Sequence, residues 1–153
     1  MKITDILSAD MVIPELKGTT KPDVLNELAK ALAAKYTEIK LGDLTAVLAE
    51  RERLGSTAIG DGIAIPHGKL RGVMKIVGAF GRHVEGVDFD SLDGGPSQLF
   101  FVLVAPEDSA SLHLKALARV SRLLKEGAFR SHLLAAKDSG ELYSLIKEED
   151  DKY

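Results

Sequence analysis

Cysteine is absent from this 153-residue sequence, and its absence excludes several chemistries at once. The chain has no disulfide framework, no thiolate metal site and no cysteine nucleophile. Long apolar stretches are missing as well, because the longest run, Leu99 to Ala105, falls far short of the ~18 residues typical of a membrane span. The N-terminus shows no apolar region of signal-peptide length. We therefore expect a cytoplasmic protein with no direct membrane insertion.

A surplus of positive charge is also lacking. Lys and Arg number 20 against 23 Asp and Glu, so the formal net charge is −3, whereas domains that bind a nucleic-acid backbone are usually strongly basic. No nucleic-acid partner is expected. The apolar fraction of 45% and the charged fraction of 28% are typical of globular proteins. We expect residues 1–153 to form a single domain with a frayed acidic tail from about residue 147.

Familiar catalytic motifs are missing too. Gly68-Lys69 is not part of a phosphate-binding P-loop because no GxxxxGK[ST] precedes it, and neither HExxH nor GxSxG occurs. No cofactor and no metal are expected. A zinc site built from His67, His113 and an aspartate stays open as an alternative without motif support.

The apolar pattern predicts an α/β fold, a mixed β-sheet flanked by helices on both sides. Apolar residues at helical spacing and cap-forming residues predict helices near residues 20–36 and 43–55, from Ser109 or Ser111 to Gly127, over 129–136, and from Asp138 or Ser139 onward. Runs rich in β-branched and aromatic residues predict strands at Ile63–Ile65, Ile76–Phe80 and Leu99–Val104. The last run is apolar throughout, which is typical of a strand buried on both faces. Residues 86–97 are predicted to be mostly loop.

Arg51 interrupts the apolar stripe of the second predicted helix. At about 100° per residue, it falls near the middle of the face formed by Leu44, Val47, Leu48 and Leu54. An inward arginine must find a carboxylate, carbonyl groups or an anionic ligand, because an unpaired buried charge is very costly. A structural salt bridge and a ligand contact both stay open on this evidence.

Two histidines occupy similarly unusual positions. His113 shares an apolar helix face close to the helix N-terminus, an end that attracts anions, although a hydrogen-bonded core histidine would also fit. His67 follows the predicted strand that ends in Pro66 and precedes Gly68, and ligands often bind where strands of an α/β sheet end. An exposed histidine in a glycine-rich turn is the alternative. Upstream, the turn 60–62 carries the carboxylate of Asp61.

Read as one block, residues 51–69, RERLGSTAIGDGIAIPHGK, closely resemble the signature of the EIIA domains of the fructose and mannitol class of the bacterial phosphotransferase system. The resemblance covers essentially the whole chain, including SLHLKALARVSRLL and ELYSLI, and it is closest to the nitrogen-regulatory branch, EIIA-Ntr. It implies a mixed five-stranded sheet flanked by helices. It also implies a protein-histidine phosphotransferase, or phosphocarrier.

The resemblance implies a role for each residue that the pattern singles out. His67 matches the histidine that accepts the phosphoryl group, Arg51 matches the arginine that contacts this group, and His113 matches the second histidine of the site. Asp61 matches a position of variable residue type, six residues before the acceptor histidine. Either Asp61 or a backbone carbonyl is expected to orient the His67 ring.

The resemblance further implies protein partners. The donor would be phosphorylated HPr or a nitrogen-type HPr homologue, docking on an apolar surface around the acceptor with Lys69 and Arg71 at its rim. One function is a regulatory phosphocarrier whose phosphorylation state controls partner proteins. The alternative is a sugar-uptake component that passes phosphate to a separate EIIB, which must act in trans because this chain has no cysteine. A third interpretation is a small metal- or anion-binding module that uses His67 and His113.

Overall fold

A mixed β-sheet surrounded by five α-helices makes up the computed structural model, which describes residues 1–153. The helices are α1 (Lys21–Lys35), α2 (Leu41–Arg53), α3 (Ala110–Leu124), α4 (Gly127–Ala135) and α5 (Ser139–Asp150). The strands are β1 (Val12–Ile13), β2 (Ala58–Gly60), β3 (Ile63–Ala64), β4 (His67–Leu70), β5 (Val77–Val87) and β6 (Ser97–Pro106). Two short 3₁₀ helices, Ile3–Asp5 and Ala9–Met11, precede β1. None of the α-helices combines the length and apolar character needed to span a membrane.

The sheet has the order β1-β5-β6-β3-β2, and β4 continues along the same edge of β6 as β3. The pairs β5–β6 and β2–β3 are antiparallel, whereas β1–β5, β3–β6 and β4–β6 are parallel. The register is the same on both sides of the gap between β3 and β4, since Ala64 faces Phe100 and His67 faces Leu103. Pro66 lies in this gap and has no N–H for the ladder. The two segments are thus one strand broken at Pro66, which reconciles six strands with the expected five.

Strand β6 forms the centre of the hydrophobic core. Every residue from Leu99 to Ala105 is at most 1% exposed, and because successive side chains point to opposite faces, both faces of the sheet are covered. Helix α1 packs against α2 and β5, while α3 packs against β6 and α4, and α4 packs against α5. The predicted α/β fold, a mixed sheet flanked by helices on both sides, is confirmed.

Two helices begin at the cap residues that the sequence predicts. Thr20 precedes α1, and its Oγ1 accepts a hydrogen bond from the Asp23 amide at 3.3 Å, with Pro22 in the first turn. Asp138 precedes α5, and its Oδ1 accepts one from the Glu141 amide at 2.9 Å. Both contacts satisfy amides that the first helical turn leaves without a partner.

Other boundaries differ from the sequence-based prediction. Helix α2 begins earlier, at Leu41, and α3 ends at Leu124 rather than at Gly127. Strand β5 extends to Val87, while β1, β2 and β4 were not predicted. Strands β1 and β2 are too short to show an alternating pattern, and β4 contains histidine, glycine and lysine, which are weak strand formers. Strand β4 is stabilised by its hydrogen bonds to β6 rather than by the strand propensity of its own residues.

The expectation that the acidic tail is frayed from about residue 147 is wrong for residues 147–150. Helix α5 continues through Asp150, whose side chain is 1% exposed. Its carboxylate accepts hydrogen bonds from Arg119 Nε and from the Ile3 amide, both at 2.8 Å. The side chain of Lys2 adds a bond to the Asp150 carbonyl at 3.3 Å. Within this run of charged residues, Asp150 is buried and links the C-terminal helix to the N-terminal residues of the chain.

Candidate active site

A cleft opens at the sheet edge formed by β4, between α2 on one side and α3 on the other. Its volume is about 490 Å³. Three residues singled out in the sequence meet there, namely Arg51 from the end of α2, His67 from the start of β4 and His113 from the first turn of α3. The topology of the sheet thus brings together side chains that lie far apart along the chain.

Gly68 allows α2 to lie close enough to β4 to form this cleft. A Cβ atom at position 68 would lie 2.4 Å from Val47 Cγ1, a separation that real side chains do not tolerate. Because side chains alternate along a strand, Gly68 faces α2 while His67 projects from the other side of β4. The glycine after the histidine is therefore a packing requirement that brings Arg51 within reach of the His67 ring.

The two ring nitrogens of His67 have different partners. Nδ1 lies 2.8 Å from the carbonyl oxygen of Ile65, and because a carbonyl only accepts hydrogen bonds, this contact places the ring proton on Nδ1. Nε2 then carries a lone pair and accepts a hydrogen bond from Arg51 Nε at 3.3 Å. A backbone carbonyl orients the ring, and Nε2 is the atom with nucleophilic character.

Arg51 is half-buried and makes no ion pair with a carboxylate. Its Nη1 donates a hydrogen bond to the Gly55 carbonyl at 2.8 Å, and its Nη2 has no partner in the protein. The sequence left open a structural salt bridge or a ligand contact for Arg51. The structure contains no salt bridge at this residue. The free donors of the planar guanidinium can bind two oxygens of one anion.

His113 makes an edge-on contact with His67. Their ring centroids are 5.4 Å apart, and the ring planes differ by 78°. His113 is 6% exposed, and its buried Nε2 has no hydrogen-bond partner. A fully satisfied core histidine would have one, because an unmade buried hydrogen bond is costly. The hydrogen-bonding capacity of this nitrogen is thus unused within the protein.

Burial and positive neighbours keep both imidazoles neutral at neutral pH. Burial, followed by the proximity of His67 and Lys69, lowers the pKa of His113 from 6.5 to about 4. The pKa of His67 is also lowered, chiefly by burial and further by the Arg51 charge, although the bond to the Ile65 carbonyl opposes this. Neutral rings suit a site that uses a lone pair on one histidine and an N–H donor on the other.

The rim of the cleft is apolar and carries one unpaired cation. Leu54 is 71% exposed and Leu114 is 67% exposed. Lys69 lies two residues after His67, so it projects from the same side of β4, and it has no ion-pair partner, whereas Arg71 lies 3.5 Å from Glu107. The sequence pattern placed Leu54 on the buried stripe of α2, but the helix ends at Arg53 and Leu54 turns outward.

Asp61 does not line this cleft. With Gly62 it forms the two-residue turn between β2 and β3, and the φ angles of 57° and 77° are those of a type I′ hairpin, which favours the Asp-Gly pair. Its amide donates a hydrogen bond to Asp93 at 3.0 Å. At about 3.3 Å per residue, the four steps from Ile63 to His67 already span about 13 Å. Of the two groups expected to orient the His67 ring, the Ile65 carbonyl contacts it and Asp61 does not.

Glu52 contributes to this region although the sequence pattern did not single it out. Its side chain is 5% exposed, and it accepts hydrogen bonds from the Thr57 amide and hydroxyl. Lys21 Nζ lies 2.9 Å from the same carboxylate. The signal was present, because Glu52 follows Leu44 and Leu48 at intervals of four residues and so shares their buried face.

No group of three or more His, Asp or Glu side chains is arranged to hold a metal ion.

Comparisons with known proteins show the family to which the chain is similar. The family model described as "Phosphoenolpyruvate-dependent sugar phosphotransferase system, EIIA 2" matches residues 5–149. A nitrogen regulatory protein of Bradyrhizobium diazoefficiens is 44% identical over 146 residues, which are 95% of each chain. The fructose-specific EIIABC component of Bacillus subtilis is 37% identical over 153 residues, covering 98% of this chain and 24% of that protein.

Solved structures show the same fold. The crystal structure of the nitrogen regulatory protein IIA-Ntr from Neisseria meningitidis superimposes with a TM-score of 0.88 at 31% identity, covering 94% of this chain and 98% of that one. The mannitol enzyme IIA of Escherichia coli, solved in complex with phosphorylated enzyme IIB, superimposes with a TM-score of 0.78 at 20% identity, covering 94% and 99%. The second likeness is one of fold alone.

Proposed function

The chain belongs to the EIIA 2 family of the phosphoenolpyruvate-dependent sugar phosphotransferase system, and on this premise we propose that it is a phosphohistidine carrier with His67 as the phosphoryl acceptor. One observation carries the proposal. The Ile65 carbonyl holds the proton on Nδ1 of His67, and this leaves the Nε2 lone pair beside Arg51 in an open cleft. Phosphotransfer needs such a nucleophile and a nearby cation.

Transfer to His67 forms a bond between Nε2 and phosphorus. The bond between phosphorus and the donor breaks, and its electron pair stays with the donor. The attacking ring must be unprotonated at Nε2, and the lowered pKa of His67 keeps it so at neutral pH. With phosphorus on Nε2 and the proton still on Nδ1, the ring becomes an imidazolium, and its Nδ1–H continues to donate to the Ile65 carbonyl, so the ring keeps its orientation.

Arg51 and His113 stabilise the charge of the transferred group. Catalysis of phosphoryl transfer is mainly a matter of position and charge. The unpaired Nη2 of Arg51 can donate to a phosphoryl oxygen, and a protonated ring nitrogen of His113, which lines the cleft, can donate to another. An arriving dianion also raises the pKa of His113, because opposite charge favours the protonated ring.

The donor in this proposal is phosphorylated HPr or a nitrogen-type HPr homologue. Exposed Leu54 and Leu114 offer it an apolar contact, and Lys69 offers a positive rim. A regulatory role, in which the phosphorylation state of His67 controls partner proteins, is favoured because the 44% identical relative is named a nitrogen regulatory protein and matches over nearly its whole length. The second candidate, transfer to a separate EIIB in sugar uptake, draws support from the fructose-specific relative.

Intact mass spectrometry tests the carrier function. The protein is incubated with phosphoenolpyruvate, enzyme I and either HPr or its nitrogen-type homologue. We expect one acid-labile phosphoryl group on the wild type and on His132→Ala, whose histidine is exposed on α4, and none on His67→Ala. A wild type that gains no phosphoryl group with either donor, or a His67→Ala variant that does, contradicts the proposal. The faster donor distinguishes regulation from uptake.

A further inference from the structure

Glu52 is a buried carboxylate that phosphoryl transfer does not itself require. It follows Arg51 in α2, turned about 100° from it around the helix axis, and its side chain is 5% exposed. Lys21, which is 15% exposed, places Nζ 2.9 Å from Oε1 of Glu52 and 4.9 Å from the centroid of the Phe89 ring. Burying such a pair has a large desolvation cost, so its position beside the active arginine calls for a physical reason.

The Glu52 carboxylate anchors the loop that leaves α2. The Thr57 amide donates to Oε1 at 3.0 Å, and the Thr57 hydroxyl donates to Oε2. Thr57 is itself 4% exposed. One residue earlier, the Ser56 hydroxyl donates to the Phe89 carbonyl at 2.5 Å. The far end of the loop is therefore fixed to buried structure on two sides.

Arg51 depends on the near end of the same loop. Its Nη1 bonds to the Gly55 carbonyl at 2.8 Å while its Nε bonds to Nε2 of His67 at 3.3 Å. With no carboxylate near enough to form an ion pair, the Gly55 carbonyl is the one protein acceptor besides His67 that directs the guanidinium. Gly55 has a φ of 146°, a conformation that other residues rarely adopt, so the direction of its carbonyl depends on how the loop is held.

We propose that Glu52 is a positioning residue for Arg51: by anchoring Thr57, it keeps the Gly55 carbonyl where it directs the guanidinium onto Nε2 of His67. Lys21 serves this arrangement by neutralising the buried carboxylate. The kinetic test of this role rests on the proposed phosphoryl transfer, whereas a second test on the His67 ring does not.

The kinetic test compares the rate at which the donor phosphorylates wild type and Glu52→Gln. The variant keeps the shape of the side chain but removes the charge that binds Lys21 and one acceptor of the Thr57 clamp. We expect phosphorylation to slow about tenfold, because a displaced Arg51 loses its alignment with the reacting atoms. The matched control is Glu27→Gln, which removes another carboxylate that accepts bonds from loop amides, those of Lys17 and Gly18, and should leave the rate unchanged.

A double-mutant cycle shows whether Glu52 acts through Arg51. If it does, Glu52→Gln causes no further slowing in an Arg51→Ala background. Equal slowing in both backgrounds would overturn the proposal, since Glu52 would then affect the reaction independently. Equal loss of rate in Glu52→Gln and Glu27→Gln would overturn it as well, because any weakened loop would then have the same effect.

The pKa of His67, measured by NMR titration of its ring protons, gives a test without any phosphoryl donor. The Arg51 charge lowers the pKa of His67, and the smaller effect of the Glu52 charge raises it. If Glu52→Gln releases Arg51, the pKa rises relative to the wild type. If the substitution only removes a negative charge, the pKa falls. A fall or an unchanged pKa contradicts the positioning role.

A second variant covers the case in which Glu52→Gln does not fold. Thr57→Val removes the hydroxyl donor to Glu52 but keeps the amide bond and the shape of the side chain. We expect changes in the same direction for both the rate and the pKa of His67, but smaller ones. Should the wild type accept no phosphoryl group, the proposed function fails, and the titration of His67 still decides the role of Glu52.

Discussion

The chemistry of the cleft depends first on single atoms around His67. One backbone carbonyl, that of Ile65, decides which ring nitrogen carries the proton. One guanidinium, that of Arg51, contacts the other nitrogen. Burial of the ring lowers its pKa most, and the Arg51 charge lowers it further. A ring nitrogen with a lone pair, a cation beside it and an orienting carbonyl thus lie together in the cleft.

The pH dependence of phosphorylation follows from these contacts. The attacking ring must be neutral, and burial above all lowers the pKa of His67 from 6.5, so we expect the rate to fall on acidification with a midpoint below pH 6.5. In Arg51→Ala this acid limb moves to higher pH, because a charge that lowers the pKa of His67 is gone. Rates measured from pH 5 to 8 with the same donor test this, since titration of the donor affects both proteins alike. An acid limb at the same pH in both proteins would contradict the assignment.

His113 makes a separate prediction about stability. Its pKa is about 4 in the folded protein and near 6.5 when exposed, so the unfolded chain binds this proton more readily. The free energy of unfolding should therefore fall as the pH drops from 6.5 towards 4, by up to about 2.5 kcal/mol. Urea denaturation of wild type and His113→Asn at several pH values measures the difference. A wild type whose loss over this range equals that of the variant would contradict the low pKa.

The sequence pattern finds those site residues that conflict with their surroundings. Arg51 and His113 stand out because each is polar on an apolar helix face. Glu52 lies on a buried face as well, but a helix end rich in charged residues conceals it. Asp61 shows the opposite case, because its place six residues before His67 suggests a role, whereas a hairpin turn explains its residue type. The hydrogen bond to Ile65 is made by its backbone carbonyl, which every residue type has, so the sequence pattern cannot predict it.

At the scale of elements, the contact between α2 and β4 sets the geometry of the site. Gly68→Ala would place a Cβ atom against Val47, and we expect a loss of stability of about 1–3 kcal/mol together with slower phosphorylation, since α2 carries Arg51. Adding Val47→Ala should restore much of both. Gly42→Ala, at an open position of the same helix, serves as the control. Denaturant titration and phosphorylation rates measure the two effects, and normal values for Gly68→Ala alone would contradict this account.

Elements could be predicted from the sequence where local and long-range forces agree. The helices and the apolar strand β6 carry their periodicity in many residues, so only their ends shift. Strand β4 could not be predicted, because its residues favour no strand and their conformation comes from pairing with β6. The strand that bears His67, the proposed acceptor, is therefore also the one that the sequence pattern describes least well.

At the scale of the whole molecule, Asp150 joins the two ends of the chain. Its carboxylate is 1% exposed and binds Arg119 of α3 and the amide of Ile3. Asp150→Ala should cost about 3–5 kcal/mol of stability, because it leaves the partly buried Arg119 unpaired. Asp151→Ala, next to it but exposed, should change stability by less than about 0.5 kcal/mol. Thermal or urea unfolding measures both, and equal effects would mean that the acidic tail contributes only through its charge.

The cleft itself is a property of the complete fold. Arg51, His67 and His113 meet only because β3 and β4 run along β6 and two helices overhang the same sheet edge. Matching the sequence to a known family indicates these three residues in advance. The fold adds the tautomer of His67, the unpaired donors of Arg51 and the loop anchored by Glu52.

The most direct measurement of the central claim identifies the atom that carries the phosphoryl group. Protein with ¹⁵N-labelled histidine is phosphorylated by its donor, and NMR then shows which ring nitrogen is bonded to phosphorus. We predict a single phosphorylated residue, His67, bonded at Nε2, with the proton on Nδ1 still hydrogen-bonded to the Ile65 carbonyl. Phosphorus on Nδ1 of His67, or on another residue, would contradict the account.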